Sequence, residues 1–354
     1  MTSDTPETKP ASVLGHGARV LPAVIVDTYN EELRDEEGFV GDRASGRAFR
    51  AILDDWREKL GAQGEDPFGD TPTHEISKAK LDKMLAGADP LAAGLVHTAV
   101  EEYAVELATV VRRYMRLKDW NATERIVVGG GLSASHIGEL AVGRAAVLLA
   151  GEGATVELCT ISNHPDKAGL IGAVHLAPSW VLAGHDAILA ADVGGTNVRV
   201  GVVELNLKKG DLSKAAVWKH LHWRHRDEQP ARDAALDRMT AMADELIALA
   251  GKEKLKLAPF VGIGCPGLID EHGFIASGGQ NLPGNWEGPD FNLAREMTRR
   301  LPRLEGHEPV VVMHNDAVVQ GLSEVPKMTD VRRWGVLTIG TGLGNARFTN
   351  REDA

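Results

Sequence analysis

The feature that most constrains the fold is a glycine-rich turn in the middle of the chain, between two apolar runs. Residues 187–191 lead into Asp192-Val193-Gly194-Gly195-Thr196, and residues 198–203 lead out of it. This pattern predicts two strands joined by a tight turn. Glycines let backbone N–H groups close on an anion, which a Cβ would obstruct. Asp192 is therefore a candidate ligand of Mg²⁺ through a water molecule, and the Thr196 hydroxyl is a candidate hydrogen-bond donor to a phosphate oxygen. A β-hairpin with a solvated turn is the alternative.

Composition bounds the class of protein. The chain has 354 residues, enough for two domains or for two large lobes around a cleft. Its net charge of −11 argues against nucleic acid as a partner, because phosphate binding needs a basic face. The two cysteines, far apart in sequence, exclude a disulfide framework or a zinc site built from cysteines.

No leader or membrane segment is expected. Residues 1–12 are polar and predict a flexible tail rather than a signal peptide, and no apolar run approaches the length of a membrane span. A cytoplasmic location is the expectation. Apolar strands alternate with amphipathic helices along the chain, which predicts an α/β fold. The strongest helix pattern runs over residues 96–117.

Three further motifs follow predicted strands. Gly340-Thr341-Gly342-Leu343-Gly344 is a second glycine-hydroxyl turn; two such turns facing each other would bracket nucleotide phosphates, although a Gly-x-Gly alone is most often only a turn. Asn315-Asp316 stands between a strand and a helix, where Asp316 is a candidate general base or an ordinary N-cap. Gly129-Gly130-Gly131 permits a flat ligand to approach the backbone, or is simple turn chemistry.

Two other features are weaker. The loop Asn281-Leu282-Pro283-Gly284-Asn285-Trp286 carries amides suited to sugar hydroxyls, or is a surface loop with one packed Trp. His16, between two glycines, is uninformative by itself.

Five motifs resemble those of the ROK-family sugar kinases and occur in the same order as in that family; they are also similar to those of bacterial glucokinases. The motifs lie at residues 192–196, 264–267, 281–284, 315–317 and 340–344. The resemblance implies a two-lobed actin-like ATPase (ribonuclease H-like) fold. In that family the first phosphate turn lies near the N-terminus, whereas here residues 127–133 and 166–173, which look like the family's adenosine turn and its late Asp-Ala-Gly helix, come before it. The sequence therefore looks like a circularly permuted ROK kinase, with residues 178–186 joining the old termini.

The resemblance also implies domains and roles. Residues 13–165 and 317–354 would form a large lobe with the adenosine side and part of the sugar site. Residues 166–316 would form a small lobe with the first phosphate turn and the catalytic Asp at the cleft. Asp316 would be the base and Asp192 would stand near Mg²⁺. The sugar would contact Asn315, Asn281, Gly264, Gly267, His16 and Asp42. ATP would contact Gly194, Gly195, Thr196, Gly340, Thr341, Gly342, Gly130 and Gly131.

Two departures from the family matter. Residues 28–42 hold no cysteine where the family has a zinc motif, so we predict no zinc. Val13 stands where the family's Glu-x-Gly-His motif has Glu, and Gly41 stands where a second sugar-binding Glu would fall, which leaves Asp42 as the nearest carboxylate.

The sequence thus predicts an ATP- and Mg²⁺-dependent kinase of a hexose, glucose or an N-acetylhexosamine, acting at the 6-hydroxyl. A non-catalytic sugar or nucleotide sensor of the same fold and a polyphosphate-dependent glucokinase are the alternatives. The expected partners are a small sugar and a nucleotide, with no nucleic acid and no membrane, and a homodimer is the usual prior.

Overall fold

A computed structural model describes residues 14–36, 38–207 and 211–352; the predicted tail and Val13 lie outside these ranges. The strands are β1 Val24–Tyr29, β2 Arg34–Asp35, β3 Gly38–Phe39, β4 Arg125–Gly129, β5 Glu157–Thr160, β6 Ala187–Val193, β7 Val198–Glu204, β8 Ala216–Trp223, β9 Leu257–Cys265, β10 Leu268–Ile269, β11 Ile275–Ser277, β12 Val310–Asn315, β13 Arg333–Ile339 and β14 Leu343–Asn350. The helices are α1 Gly46–Gly61, α2 Lys78–Leu85, α3 Pro90–Met115, α4 His136–Gly151, α5 Pro165–Gly172, α6 Ser179–Leu182, α7 Arg232–Lys252, α8 Leu293–Arg300 and α9 Asp316–Leu322.

Two five-stranded mixed sheets form the frame of the molecule. Sheet A has the order β1-β14-β13-β4-β5, and sheet B has the order β8-β7-β6-β9-β12. In sheet B, β6, β9 and β12 are parallel, whereas β7 and β8 continue from β6 as an antiparallel meander. The α/β class predicted from the sequence is confirmed.

The two sheets have the same topology, read from different starting points of the chain. In sheet A, β13, β4 and β5 are parallel, and β14 and β1 extend from β13 as an antiparallel meander. In sheet B, the chain first forms the meander of β6, β7 and β8 and then adds the parallel strands β9 and β12. Sheet A follows the same order only if β13 and β14 are placed before β1. A cyclic shift of the chain therefore converts one arrangement into the other.

Helices α5 and α9 lie between the two sheets. Their apolar residues share one core cluster with both sheets, including Val336 and Phe348 of sheet A and Ile188 and Phe260 of sheet B. Gly172 of α5 permits the close crossing, because a Cβ there would lie within 3.0 Å of a backbone carbonyl of α9. The outer face of sheet A is covered by α1 to α4, and that of sheet B by α7 and α8.

Some boundaries differ from the predicted ones for local reasons. Helix α3 begins at Pro90, six residues before the start of its apolar pattern, because Asp89 caps it and proline suits the first helical position. Strand β8 is an edge strand of lysine, histidine and tryptophan, so its hydrophobic signal is weak. Within the described ranges, no helix is long and apolar enough to cross a bilayer.

Candidate active site

The carboxyl ends of three parallel strands bring the two predicted carboxylates to one edge of sheet B. Strand β9 lies between β6 and β12, and its Gly264 pairs in register with Asp192 while its Cys265 pairs with Asn315. Asp316 follows β12 directly and opens α9. The ends of adjacent parallel strands are the usual place for ligands in α/β sheets.

Asn315, rather than Asp316, caps helix α9. Its Oδ1 accepts from the N–H groups of Ala317 at 3.0 Å and Val318 at 3.3 Å. Its Nδ2 donates to the Gly267 carbonyl at 3.0 Å, and the residue is 1% exposed. The capping alternative is thus correct for Asn315. Its hydrogen bonds connect the Gly264–Gly267 turn to the start of α9. Its role as a sugar ligand stays a prediction.

The Asp316 carboxyl group has an environment suited to a general base. Burial first, and the charge of Asp192 second, raise its pKa to about 7, against the backbone N–H of Ala317 at 2.9 Å, which lowers it. A base works best when its pKa lies near the operating pH, because it is then both ionised and able to hold a proton. The residue is partly exposed, so a substrate can reach it.

Asp192 is held by an arginine that the sequence did not single out. Arg199, on the partner strand of the hairpin, donates from Nη1 to Asp192 at 3.2 Å and from Nη2 to Asp166 at 2.5 Å. Burial raises the pKa of Asp192, and the Arg199 charge opposes this. The position of Arg199 in the Asp-Val-Gly-Gly-Thr hairpin, seven residues after Asp192, was the available signal.

The donor chemistry around Asp192 fits Mg²⁺. Its Oδ2 accepts from Arg199, and within the described residues Oδ1 has no hydrogen-bond partner. Mg²⁺ takes oxygen ligands and is commonly bound by one or two carboxylates together with substrate phosphates and water. The described ranges contain no group of three or more His, Cys, Asp or Glu side chains arranged to hold a metal.

The two glycine-hydroxyl turns, 145 residues apart in sequence, meet in space. The Oγ1 atoms of Thr196 and Thr341 are 3.2 Å apart. Strands β6 and β7 form the antiparallel β-hairpin that was the alternative to a ligand site, with Val193 paired to Val198. The turn of this hairpin faces the second glycine-hydroxyl turn. Two hydroxyls at this distance are able to donate to oxygens of one phosphate group.

Strand β8 supports the first turn with histidines that the sequence did not reveal. His222 places Nε2 2.9 Å from Asn197 Oδ1, and His225, just after the strand, places Nε2 2.8 Å from the Gly194 carbonyl. These contacts fix both ends of the turn. Because β8 was not predicted, neither residue was singled out.

The amide loop borders the first turn. A Cβ on Gly195 would lie 2.7 Å from the Cβ of Asn281, so the two backbones approach closely. Asn281 is exposed at this border. Trp286 is 1% exposed and donates from Nε1 to the Pro283 carbonyl at 2.6 Å, so the packed-Trp interpretation is correct for that residue. Gly267 has φ +100° and lies against Ser277, a conformation and a space that suit glycine.

His16 and Asp42 lie in different surroundings. His16 accepts from the Met313 N–H at 3.2 Å through Nδ1, which places it beside β12, two residues before Asn315; burial lowers its pKa. The Asp42 side chain is 55% exposed and pairs with Arg47 at 3.5 Å. In the described ranges no hydrogen bond or ion pair joins Asp42 to another predicted site residue. Sugar binding by both residues stays a prediction.

The Gly129–Gly131 turn lies beside the second phosphate turn. Gly130 has φ +89°, and a Cβ there would lie within 3.0 Å of the Ile339 carbonyl, one residue before Gly340. Gly340 in turn accepts from the Gly46 N–H at 3.0 Å. Lys78, at the start of α2, donates from Nζ to the Gly131 carbonyl. A lysine on an exposed helix is too common for the sequence to single out.

Comparisons with known proteins find partial likeness only. No model of a protein family matches the chain, and no curated protein matches it. Among solved structures, it is similar to a ROK hexokinase from Thermus thermophilus, with 23% identity over 37% of this chain and 35% of the other, at a TM-score of 0.27. It is also similar to a ROK family glucokinase from Streptomyces griseus solved with glucose and AMPPNP, with 21% identity over 47% and 46%, at a TM-score of 0.34. The chain thus spans less than half the length of either structure.

Proposed function

We propose that the chain is a sugar kinase of the ROK family that transfers the terminal phosphoryl group of ATP to a hexose hydroxyl. The observation that carries the proposal is the approach of Thr196 to Thr341, which joins the two turns at one place. The first turn begins two residues after Asp192, whose charge acts on Asp316, so the phosphate donors and the base belong to one site. The five ordered motifs support the family.

The proposed order of the chain is a circular permutation. The shared topology of sheets A and B under a cyclic shift supports it. The contact between the residue after β14 and the residue before β1 also supports it, since Arg351 donates from its backbone to the Ala23 carbonyl at 3.0 Å. In this proposal residues 13–165 and 317–354 form one lobe, residues 166–316 form the other, and residues 178–186 are the joint.

In the proposed reaction, Asp316 takes the proton from a sugar hydroxyl, most simply the one at C6. The oxygen of that hydroxyl attacks the γ-phosphorus, and ADP leaves. Backbone N–H groups of Gly195 and Gly342 and the two threonine hydroxyls hold the phosphates, while the N–H groups of Gly194 and Gly340 close the two turns by donating to the carbonyls of Asn197 at 2.8 Å and Gly342 at 2.9 Å. Phosphoryl transfer depends mainly on positioning and on charge neutralisation, which such donors supply. Asn315 positions the start of α9 and the Gly264–Gly267 turn.

Mg²⁺ would be held near Asp192, through water, and would neutralise charge on the phosphates. Arg199 keeps the Asp192 carboxylate at the end of β6. The sugar would lie between Asp316 and the loop that begins at Asn281, with Gly264, Gly267 and His16 around it.

The test is sugar-dependent release of ADP across a panel of hexoses and N-acetylhexosamines, repeated with polyphosphate as donor. At least one sugar is expected to give ADP with ATP. Asp316→Asn is expected to lose about 10²- to 10⁴-fold in kcat, the usual contribution of a general base. The wild-type rate should rise as pH increases through about 7, because the base must be ionised. Asp119→Asn, at an exposed position, is the control.

Three outcomes would contradict the proposal. Binding of sugar or nucleotide without any sugar-dependent ADP would indicate a sensor of the same fold. Turnover with polyphosphate but not with ATP would indicate a different donor. Normal turnover by Asp316→Asn would remove Asp316 as the base.

A further inference from the structure

A lysine outside the motifs lies at the edge of the proposed nucleotide site. Lys78 is the first residue of helix α2, and Ser77 caps that helix by accepting from the Lys80 N–H at 3.2 Å. The Lys78 side chain extends away from its own helix to the Gly131 carbonyl. Gly131 belongs to the turn at the carboxyl end of β4, beside Gly340 of the second phosphate turn.

The ammonium group of Lys78 makes no ion pair with a carboxylate among the described residues. Within the described residues its only hydrogen-bond acceptor is the Gly131 carbonyl, and no carboxylate lies within salt-bridge distance of it. An ammonium group has three N–H donors, so two remain for a ligand. A half-buried charge without a partner is costly, which makes an incoming anion favourable.

Charged groups from both proposed lobes act on the pKa of Lys78. Burial lowers its pKa, whereas Asp166 raises it, Arg50 lowers it and Asp82 raises it. Asp166 belongs to the start of α5 and is bridged by Arg199 to Asp192. Lys78 is therefore in direct contact with the Gly131 turn and near enough to Asp166 for that charge to act on it. Asp82 is engaged elsewhere, because it accepts from the Ile137 N–H at 2.9 Å.

We infer that Lys78 is a phosphate-binding residue of the donor site, whose ammonium group contacts a phosphate of the nucleotide and thereby raises affinity for the donor. The inference rests on the proposed function, since it assumes that the glycine turns hold a phosphorylated donor. The shared chemistry is a phosphate group, whether it comes from a nucleotide or from a polyphosphate chain. Gly131 then serves to orient the lysine before the donor binds.

The experiment measures equilibrium binding of ADP, adenosine and tripolyphosphate, each with Mg²⁺, by calorimetry. Lys78→Met removes the charge and keeps an unbranched apolar side chain of similar length. It is expected to weaken ADP binding about 10-fold or more, as for the loss of one charge-assisted hydrogen bond, and to leave adenosine unchanged. Lys78→Arg should recover part of the loss. Lys83→Met, on an exposed position of the same helix, should bind as the wild type does.

The outcomes separate this inference from the function on which it rests. Weakened binding of ADP or of tripolyphosphate, with adenosine unchanged, supports the inference and identifies the source of the phosphate. Equal affinity of wild type and Lys78→Met for both ADP and tripolyphosphate overturns it while the kinase proposal stands. Equal losses for adenosine and ADP overturn it by assigning Lys78 to the nucleoside. Wild-type protein that binds none of the three probes overturns both. Matching melting temperatures of Lys78→Met and wild type show that the variant is folded.

Discussion

At the residue scale, the site depends on two carboxylates that are partly deprived of water. Asp316 and Asp192 each have a raised pKa, first because of burial, and the charge of Asp192 adds to the shift at Asp316. Arg199 offsets the charge of Asp192 but does not contact Asp316 within hydrogen-bond distance. This arrangement separates the roles: Asp192 is paired with the guanidinium group of Arg199, whereas Asp316, with a pKa of about 7, is able to exchange a proton near neutral pH.

The raised pKa of Asp316 predicts a cost in stability. The folded protein binds this proton more tightly than the unfolded chain, whose Asp has a pKa of about 3.9. The contribution of Asp316 is therefore favourable below about pH 4 and is lost as pH rises through about 7. Asp316→Asn should have a higher free energy of unfolding than wild type at pH 8, and the difference should shrink at pH 5.

Urea unfolding at both pH values measures this difference. Asp119→Asn, at an exposed position, should show no such pH-dependent gain and serves as the control. A variant less stable than wild type at pH 8 would show that the Asp316 carboxylate is stabilised by the fold rather than strained by it.

At the element scale, the crossing of α5 and α9 determines how closely the two sheets approach. Gly172 of α5 leaves no room for a Cβ, because the Val319 carbonyl lies in its place. Gly172→Ala should therefore lower the free energy of unfolding by about 1–3 kcal/mol or more, the usual range for overpacking a core.

The matched control for this change is Gly143→Ala. Gly143 lies within α4, and a Cβ added there would meet no neighbouring atom within 4 Å, so alanine should stabilise the helix by up to about 1 kcal/mol. Thermal melting of both variants measures the contrast. Equal stability of Gly172→Ala and wild type would mean that the crossing is loose and that the sheets are free to move apart.

The sequence predicts the elements where the signal is local. The glycine hairpin, the strand before Asn315 and the long helix α3 all carry patterns that short-range physics determines. The meeting of Thr196 with Thr341 depends on contacts between distant parts of the chain, so the motifs suggested it only through their resemblance to a family. Lys78 and His225 escaped prediction, because a lysine at the start of a short helix and a lone histidine after a weak edge strand carry no pattern of their own.

At the scale of the whole molecule, the chain order and the fold are separate properties. Sheets A and B share one topology, but the chain passes through it from different starting points. It begins sheet B with the first strand of the meander, β6, and begins sheet A with the third strand of the meander, β1. Arg351 contacts the backbone of Ala23 and of Leu21, so the chain that leaves β14 lies beside the chain that enters β1. A permuted chain preserves every packing contact if its joints lie at the surface.

The central claim is that two sheets of one topology, in a rearranged chain order, close around a single phosphoryl-transfer site. Its most direct test joins residue 354 to residue 1 through a Gly-Ser linker and opens the chain between Ala183 and Gly184, both exposed. We predict that this relinked protein unfolds cooperatively at a temperature close to that of the parent and retains its sugar-dependent ADP release. Opening the same linked chain between Gly262 and Ile263, inside the buried strand β9, should prevent folding. A relinked protein that does not fold, or that folds without the parent's turnover, would contradict the claim.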